Sequence, residues 1–271
     1  MKISKSILTK NPCYAKGRKL DNGVKGLMLH SVGCAQPKAS AFMVTWNSVS
    51  YDRACVHAFI DATDGVVYQT LPWDWRGWHC GGSANNTHIG VEMCEPDCIK
   101  YTSGSAFTCS NKAKAQAMAT RTYNSAVSLF AMLCKQYKLD PLKKGVILSH
   151  KEGCAQGVAS NHGDPEHIWK GLGLSFTMDT FRKAVAAAMK EDKAESTTGA
   201  PTTSSTSSKK VPYQVRVKIA DLRIRTGPGT EYTWTGKYTG PGTFTITQVK
   251  GNWGKLKSGA GWISLAYCTE V

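Results

Sequence analysis

Residues 146–169, VILSHKEGCAQGVASNHGDPEHIW, limit what this chain can fold into more than any other stretch. They open on an apolar, partly β-branched run ending in Ser149 and His150, which predicts a buried strand delivering a histidine at its C-terminal end. Twelve residues on comes His162, then Asp164, Pro165 and His167, in a segment that Gly157, Gly163 and Pro165 keep from being a regular helix. Imidazoles and a carboxylate gathered on a strand end and its loop are what a zinc site with an open position needs: three N/O/S donors on rigid backbone and a fourth place for water. A further donor must come from elsewhere, and GLMLH (residues 26–30) supplies a second apolar strand ending in a histidine, His30.

These segments also carry a family resemblance. LMLHS (27–31) and LSHKE…SNHGDPEH (148–167) resemble the zinc-dependent N-acetylmuramoyl-L-alanine amidases, which include phage endolysins and are related to the peptidoglycan recognition proteins. Between them, RGWHCGGSANNTHIGVEMCEP (76–96) is similar to that family's Trp-His-x-Gly followed by Ile-Gly-Val-Glu, so the match runs in order over roughly residues 26–169. The resemblance implies Zn2+ held by His30, His150 and Asp164, the last matching the family's Asp-Pro or Cys-Pro step. Cys34 and Cys154, each four residues after a candidate histidine, leave a mixed His/Cys set as the alternative.

Glu92 interrupts an apolar strand, where a carboxylate needs a partner or a job. The job implied by the resemblance is general base, with a salt-bridged structural glutamate as the bland alternative. Some relatives use a tyrosine just before the position of His57; here that residue is Val56, which shifts the weight to Glu92. His162 stands where many relatives carry an oxyanion-steadying lysine, a role an imidazolium can fill. His57, Trp78, His79 and Asn86 are expected at the substrate groove; His57, His79 and His167 are groove or supporting groups rather than ligands, and His88 is structural.

At 271 residues the chain has room for one well-buried core and a small second module. No run approaches the roughly 18 apolar residues of a membrane span, and MKISKSILTKNPCY has neither a sustained apolar core nor a small-residue cleavage site, so no secretory signal is expected. A net charge of +15 points to a polyanionic partner. Nucleic acid is the weaker choice, since no zinc-finger, RNP or helix-turn-helix signature is present; wall teichoic acids are the other. Ten cysteines at irregular spacing, with no C-x2-C pair, read as reduced thiols packed as small hydrophobes.

In chain order, residues 1–25 form a lysine-rich lead-in without clear period. Residues 39–51 carry Phe42, Met43 and Trp46 at helical spacing, and residues 56–71 a hairpin about Asp64-Gly65. A loop with Trp73, Trp75 and Trp78 precedes a strand at 87–93. Residues 110–137 predict an amphipathic helix ended by Asp140-Pro141, and 178–189 a closing helix. The expected fold is therefore an α/β catalytic domain over 1–192, a mixed central sheet flanked by helices. A Ser/Thr-rich linker follows at 193–210, ten of the thirteen residues 196–208 being serine or threonine. Residues 211–271 predict a small all-β barrel, and LRIRTGPGTEY and NWGKL…GWISLAY within it resemble bacterial SH3 wall-binding domains.

The expected activity is hydrolysis of the amide between N-acetylmuramic acid and L-alanine of the stem peptide, by a phage or prophage endolysin of Gram-positive walls. Such a protein is made in the host cytoplasm and acts at the wall after release, with peptidoglycan as partner. The competing classes are a catalytically silent peptidoglycan receptor and a stem endopeptidase.

Overall fold

Strand alternation in the central sheet decides which face receives the helices and which receives the polar side chains. The computed structural model of the chain describes residues 1–196, 211–219, 222–229, 232 and 234–271. Its first compact unit, Met1–Gly199, runs β1 (Ile3–Lys5), α1 (Pro12–Lys16), β2 (Gly26–Ser31), α2 (Ala39–Trp46), β3 (Ala58–Ile60), β4 (Val67–Gln69), a 3-10 turn at Ser83–Asn86 and β5 (His88–Met93). It continues through β6 (Ile99–Ser103), β7 (Ala106–Cys109), α3 (Lys112–Gln136), β8 (Ile147–Ser149), α4 (His150–Ala155), α5 (Glu166–Leu172) and α6 (Met178–Ser196). Six strands pair in the order β1-β4-β3-β5-β2-β8. The β3–β4 hairpin is antiparallel and every other pairing in this sheet is parallel, so the sheet is mixed, as expected.

Side chains alternate between sheet faces with period 2. Leu27 and Leu29 of β2, Ile89, Val91 and Met93 of β5, and Ile147 of β8 join one buried cluster with Leu129, Phe130 and Leu133 of α3 and Phe181 of α6. Met28 and Leu148, one residue out of phase, pack elsewhere with Cys80 and Ala84. Even-numbered β2 residues, His30 included, therefore face away from α3. The helix begins at Asn111, whose Oδ1 accepts the Lys114 N–H at 3.0 Å. Beyond its end the backbone turns through Lys138 at φ 54°.

Three features depart from expectation. The lead-in is part of the fold: Ile3–Lys5 adds an edge strand parallel to β4, a short backbone-driven pairing that hydrophobic period could not reveal. Residues 99–109 form a separate two-stranded hairpin, β6–β7. The segment after His150 is helical at both ends, α4 before Gly157 and α5 from Glu166 onward; Pro165 stands at the N-cap, where it costs no helical hydrogen bond.

The second unit, Ala200–Val271, contains β9 (Tyr213–Val217), β10 (Arg223–Arg225), β11 (Trp234–Tyr238), β12 (Gly242–Lys250), β13 (Trp253–Leu256), β14 (Trp262–Ser264) and β15 (Cys268–Glu270). They form one antiparallel sheet, β11-β10-β14-β13-β12-β9-β15, around Val215, Val217, Ile224, Ile246, Leu256 and Ile263. Gly261 is required where β14 meets β10: it sits at φ 136°, and a Cβ there would lie 2.3 Å from the Arg225 carbonyl oxygen. Of the expected linker, residues 193–196 complete α6, past the anticipated limit at 192, and residues 197–210 lie outside the described residues. Among the described residues no helix is long and apolar enough to cross a membrane.

The ring of Phe130 is wholly buried and meets Phe181 edge-on, centroids 5.1 Å apart. Phe130→Ala is expected to destabilise the first unit by about 3–5 kcal/mol. Urea unfolding followed by far-ultraviolet circular dichroism, which reports that unit's helices, checks this; an unmoved midpoint contradicts the core assignment.

Candidate metal centre and active site

Two adjacent parallel strands and the start of one helix bring the polar residues together. His30 and Glu92 are direct register partners across β2 and β5, so their side chains leave the same face at neighbouring points. His150 is the first residue of α4, whose N-terminus is held by a reciprocal capping box: Ser149 Oγ accepts the Glu152 N–H at 3.0 Å, and Glu152 Oε2 accepts the Ser149 N–H at 3.2 Å. Arg182 of α6 grips both oxygens of Glu152 at 2.8 and 3.0 Å and the Ile147 carbonyl at 3.0 Å, fixing where β8 becomes α4. Asp164 is drawn in by its neighbours, its Oδ2 accepting the Ser31 N–H at 3.3 Å and its carbonyl the Lys151 N–H at 3.2 Å.

The result is a buried triangle. His30 Nδ1 lies 3.1 Å from His150 Nδ1 and 3.4 Å from Asp164 Oδ2, and His150 Nδ1 lies 3.6 Å from Asp164 Oδ1. Among the described residues this is the one group of three His, Cys, Asp or Glu donors close enough to share an ion. Donors about 2.0–2.1 Å from a tetrahedral ion stand about 3.3–3.4 Å from one another, so the three edges fit.

Hydrogen-bond partners assign the protons and sharpen the case. His79 Nε2 meets the His88 carbonyl at 3.1 Å and must donate to it, which leaves His79 Nδ1 an acceptor. His30 Nε2, 3.0 Å away, then donates to His79, and His30 Nδ1 keeps its lone pair. Ser160 spends its one O–H on the Cys80 carbonyl at 3.1 Å, so His150 Nε2, at 3.2 Å, donates to Ser160 Oγ and His150 Nδ1 also keeps its lone pair. Burial, with His30 nearby, pushes His150 down to about 4, in keeping with a neutral ring. For Asp164 burial acts upward, but His30, His150 and the Ser31 N–H outweigh it and hold the carboxyl below its usual range. Two imidazole Nδ1 atoms and a carboxylate converging in one buried triangle are a donor set that suits a cation.

Glu92 leaves the sheet on that same face, beside His30. Its Oε2 is buried and has no hydrogen-bond partner. Burial, then the nearby Asp164 and Glu95 carboxylates, raise it well above the ordinary glutamate value. The salt-bridge alternative is excluded for Oε2 by this isolation; an unpaired carboxylate beside a cation site suits a proton acceptor.

His162 is exposed and tilts over His150, ring centroids 4.4 Å apart. Its Nδ1 is 3.1 Å from Ser160 Oγ, whose proton is already committed, so Nδ1 donates and Nε2 is left outward. Trp78 is pinned by backbone bonds in both directions to Cys55 at 2.8 Å, with its side chain 47% exposed. Asn86 is half-buried and accepts from Arg76 Nε at 2.6 Å. His57 and His79 are both buried and their ring nitrogens are used internally, the supporting place that the sequence left open beside the groove. His57 Nδ1 accepts the Gly90 N–H at 2.9 Å and its Nε2 donates to the Trp75 carbonyl at 2.7 Å. His79 lies flat on the sheet over Gly90, where any Cβ would come 2.3 Å from its ring. Cys34 is exposed and the Cys154 thiol faces Asn161 at 3.8 Å; neither joins the donor triangle.

Sequence reasoning missed Asn85 and Ser160. Buried Asn85 accepts from the His79 and Cys80 N–H groups at 2.8 and 3.0 Å, and Ser160 links two imidazoles. Neither carries a local signal beyond lying inside the matched motifs.

A family model described as N-acetylmuramoyl-L-alanine amidase matches residues 20–167. The N-acetylmuramoyl-L-alanine amidase CwlH of Bacillus subtilis (strain 168) is 50% identical over 36 residues, 12% of this chain and 14% of that protein, so the chain matches only a short part of this curated relative. Among solved structures, the Staphylococcus aureus hydrolase AmiA in complex with its ligand is similar with a TM-score of 0.54 and 19% identity, over 72% of this chain and 86% of that one, a likeness of fold. The PlyG catalytic domain aligns over 74% of this chain and 100% of its own at 17% identity and a TM-score of 0.47.

Acid should weaken the first unit through His57. Its burial lowers it from the ordinary 6.5 to about 4. Above pH 6.5 neither the folded nor the unfolded chain is protonated there; between 6.5 and 4 the unfolded chain takes a proton that the folded one refuses, so stability falls as pH falls. The share from this residue is about 3 kcal/mol. Stability measured in urea at several pH values should fall less steeply over that window in His57→Gln; equal slopes would contradict the assignment.

Proposed function

Because the chain belongs to the N-acetylmuramoyl-L-alanine amidase family, we propose that it hydrolyses the amide joining the lactyl group of N-acetylmuramic acid to L-alanine of the peptidoglycan stem peptide, with Zn2+ held by His30, His150 and Asp164. The observation that carries this is Glu92 Oε2, buried, unpartnered and on the strand beside His30. Bound at the triangle, zinc supplies polarisation of the scissile carbonyl and acidifies nearby water. Glu92 is the base that takes the proton from the attacking water, its unpartnered Oε2 being free to accept it. His162, its Nδ1 committed to Ser160, presents Nε2 outward; protonated, it supports the oxyanion and hands a proton to the leaving amine. The exposed Trp78 ring and Asn86 flank the substrate, while His57 and His79 hold Gly90 and His30 in place.

The second unit is read as an SH3-like wall-binding module. Residues 211–271 hold eight Lys/Arg against three Asp/Glu, a balance suited to teichoic acids or other polyanions of a Gram-positive wall. Joined through the Ser/Thr-rich stretch, it raises the local concentration of the catalytic unit at its substrate. That pairing fits an endolysin acting at the wall after release from the cell in which it is made.

Glu92→Gln should lower release of free N-terminal alanine from Gram-positive walls by about 10²–10⁴-fold, with zinc content unchanged. Equal release by the variant would defeat the assignment of base. Mass spectrometry of the products separates this amidase from an endopeptidase, which would leave the muramyl–alanine bond intact. A silent receptor using the same groove would release nothing and hold no zinc, whereas about one zinc per chain favours the enzyme.

A further inference from the structure

Glu95 follows β5 and is only 1% exposed, yet it plays no part in the reaction above. A carboxylate so thoroughly removed from water costs several kcal/mol unless it is well partnered. Its partners come from separate parts of the chain. Oε1 accepts the Gly33 N–H at 3.0 Å, and Oε2 accepts the Tyr101 O–H at 2.8 Å. Tyr101 Oη in turn lies 2.6 Å from His167 Nε2, and that nitrogen is 3.9 Å from Glu95 Oε1. The Glu95 backbone N–H adds a bond to the Gln36 carbonyl at 3.1 Å.

Those contacts reach both sides of the metal triangle without touching it. Gly33 belongs to the turn that leaves β2, whose last two residues are His30 and Ser31, and Ser31 gives its N–H to Asp164. His167 lies in the first turn of α5, three residues after Asp164. Tyr101, on the β6–β7 hairpin, is the strut between them. We propose that Glu95 is a positioning residue of the metal centre: through Gly33 on one side and Tyr101–His167 on the other, it fixes the two segments from which His30 and Asp164 project, and so sets how tightly the ion is held. The proposal rests on the metal reading given above. It assigns to the carboxylate a geometric role, made of hydrogen bonds, and not an electrostatic one.

That distinction makes it testable. A glutamine at this position can offer its carbonyl to Gly33 and its amide N–H to Tyr101 Oη, whose own proton then turns to His167 Nε2; every bond survives and the charge is gone. Burial pushes Glu95 up to about 7, so a neutral group there is no foreign species. An alanine keeps none of these bonds. Zinc affinity of the full chain is measured by competition with a chromogenic chelator, with circular dichroism of the metal-free proteins to establish folding. Glu95→Ala should weaken zinc about 10–100-fold, Tyr101→Phe about tenfold, and Glu95→Gln should stay within about threefold of wild type, the losses being those typical of groups that orient metal ligands. Folded Glu95→Ala with wild-type affinity overturns the proposal, and so does Glu95→Gln falling as far as Glu95→Ala, which would make the charge the active feature. Should Glu95→Ala fail to fold, Tyr101→Phe decides, and its binding zinc as wild type does is the contrary result. Wild-type protein that binds no zinc removes the metal reading and this inference together; tight wild-type binding with indifferent variants removes this inference alone.

Discussion

Two imidazole Nδ1 atoms set 3.1 Å apart and facing a buried carboxylate need a positive charge among them, a proton or a metal ion. Much of the first unit's polar architecture serves to keep them so. His79 takes the proton-bearing side of His30 and Ser160 that of His150, so neither ring can turn its lone pair away without losing a bond. Each of those partners is itself held, His79 by the His88 carbonyl and the Asn85 side chain, Ser160 by the Cys80 carbonyl. The seven histidines of the chain all fall before residue 170, and four of them, His30, His79, His150 and His162, form one connected series.

The scaffold makes this arrangement inexpensive in conformational terms. Parallel pairing of β2 with β5 places His30 beside Glu92 by register alone, and the alternation that buries Leu27, Leu29, Ile89 and Val91 against α3 turns both polar groups to the opposite face. Strand β8 runs straight into a capped helix, so the His150 backbone is fixed by the Ser149–Glu152 box and by Arg182 reaching across from α6. Positions at the C-terminal ends of parallel strands are the usual place for ligands in sheets of this type.

How much of this was legible in the chain depended on whether the signal was local. The two strand-end histidines could be read because a strand announces itself by apolar residues and its end by the first polar ones, and Glu92 because a carboxylate in an apolar strand is costly. The long helix and the β3–β4 hairpin followed from period and turn chemistry. Asp164 needed the family pattern, since a loop aspartate has no period to stand out from. What stayed hidden was relational: Ser160 and Asn85 are ordinary polar residues whose meaning is their partner, and β1 is three residues long and pairs through backbone atoms that every residue has. His79 was expected at the groove beside Trp78, and His57 at the groove or in a supporting place; Trp78 is exposed, while the ring nitrogens of both histidines bond groups inside the protein.

The central claim is that His30, His150 and Asp164 share one cation. X-ray absorption at the zinc edge of the zinc-loaded protein tests it most directly, because nitrogen and oxygen donors scatter at about 2.0–2.2 Å and thiolate sulfur at about 2.3 Å. The account predicts a first shell of nitrogen and oxygen only, with the outer-atom pattern of two imidazoles, and loss of one imidazole in His150→Ala. A sulfur contribution, which would bring Cys34 or Cys154 to the ion, or a shell that His150→Ala leaves unchanged, would contradict it.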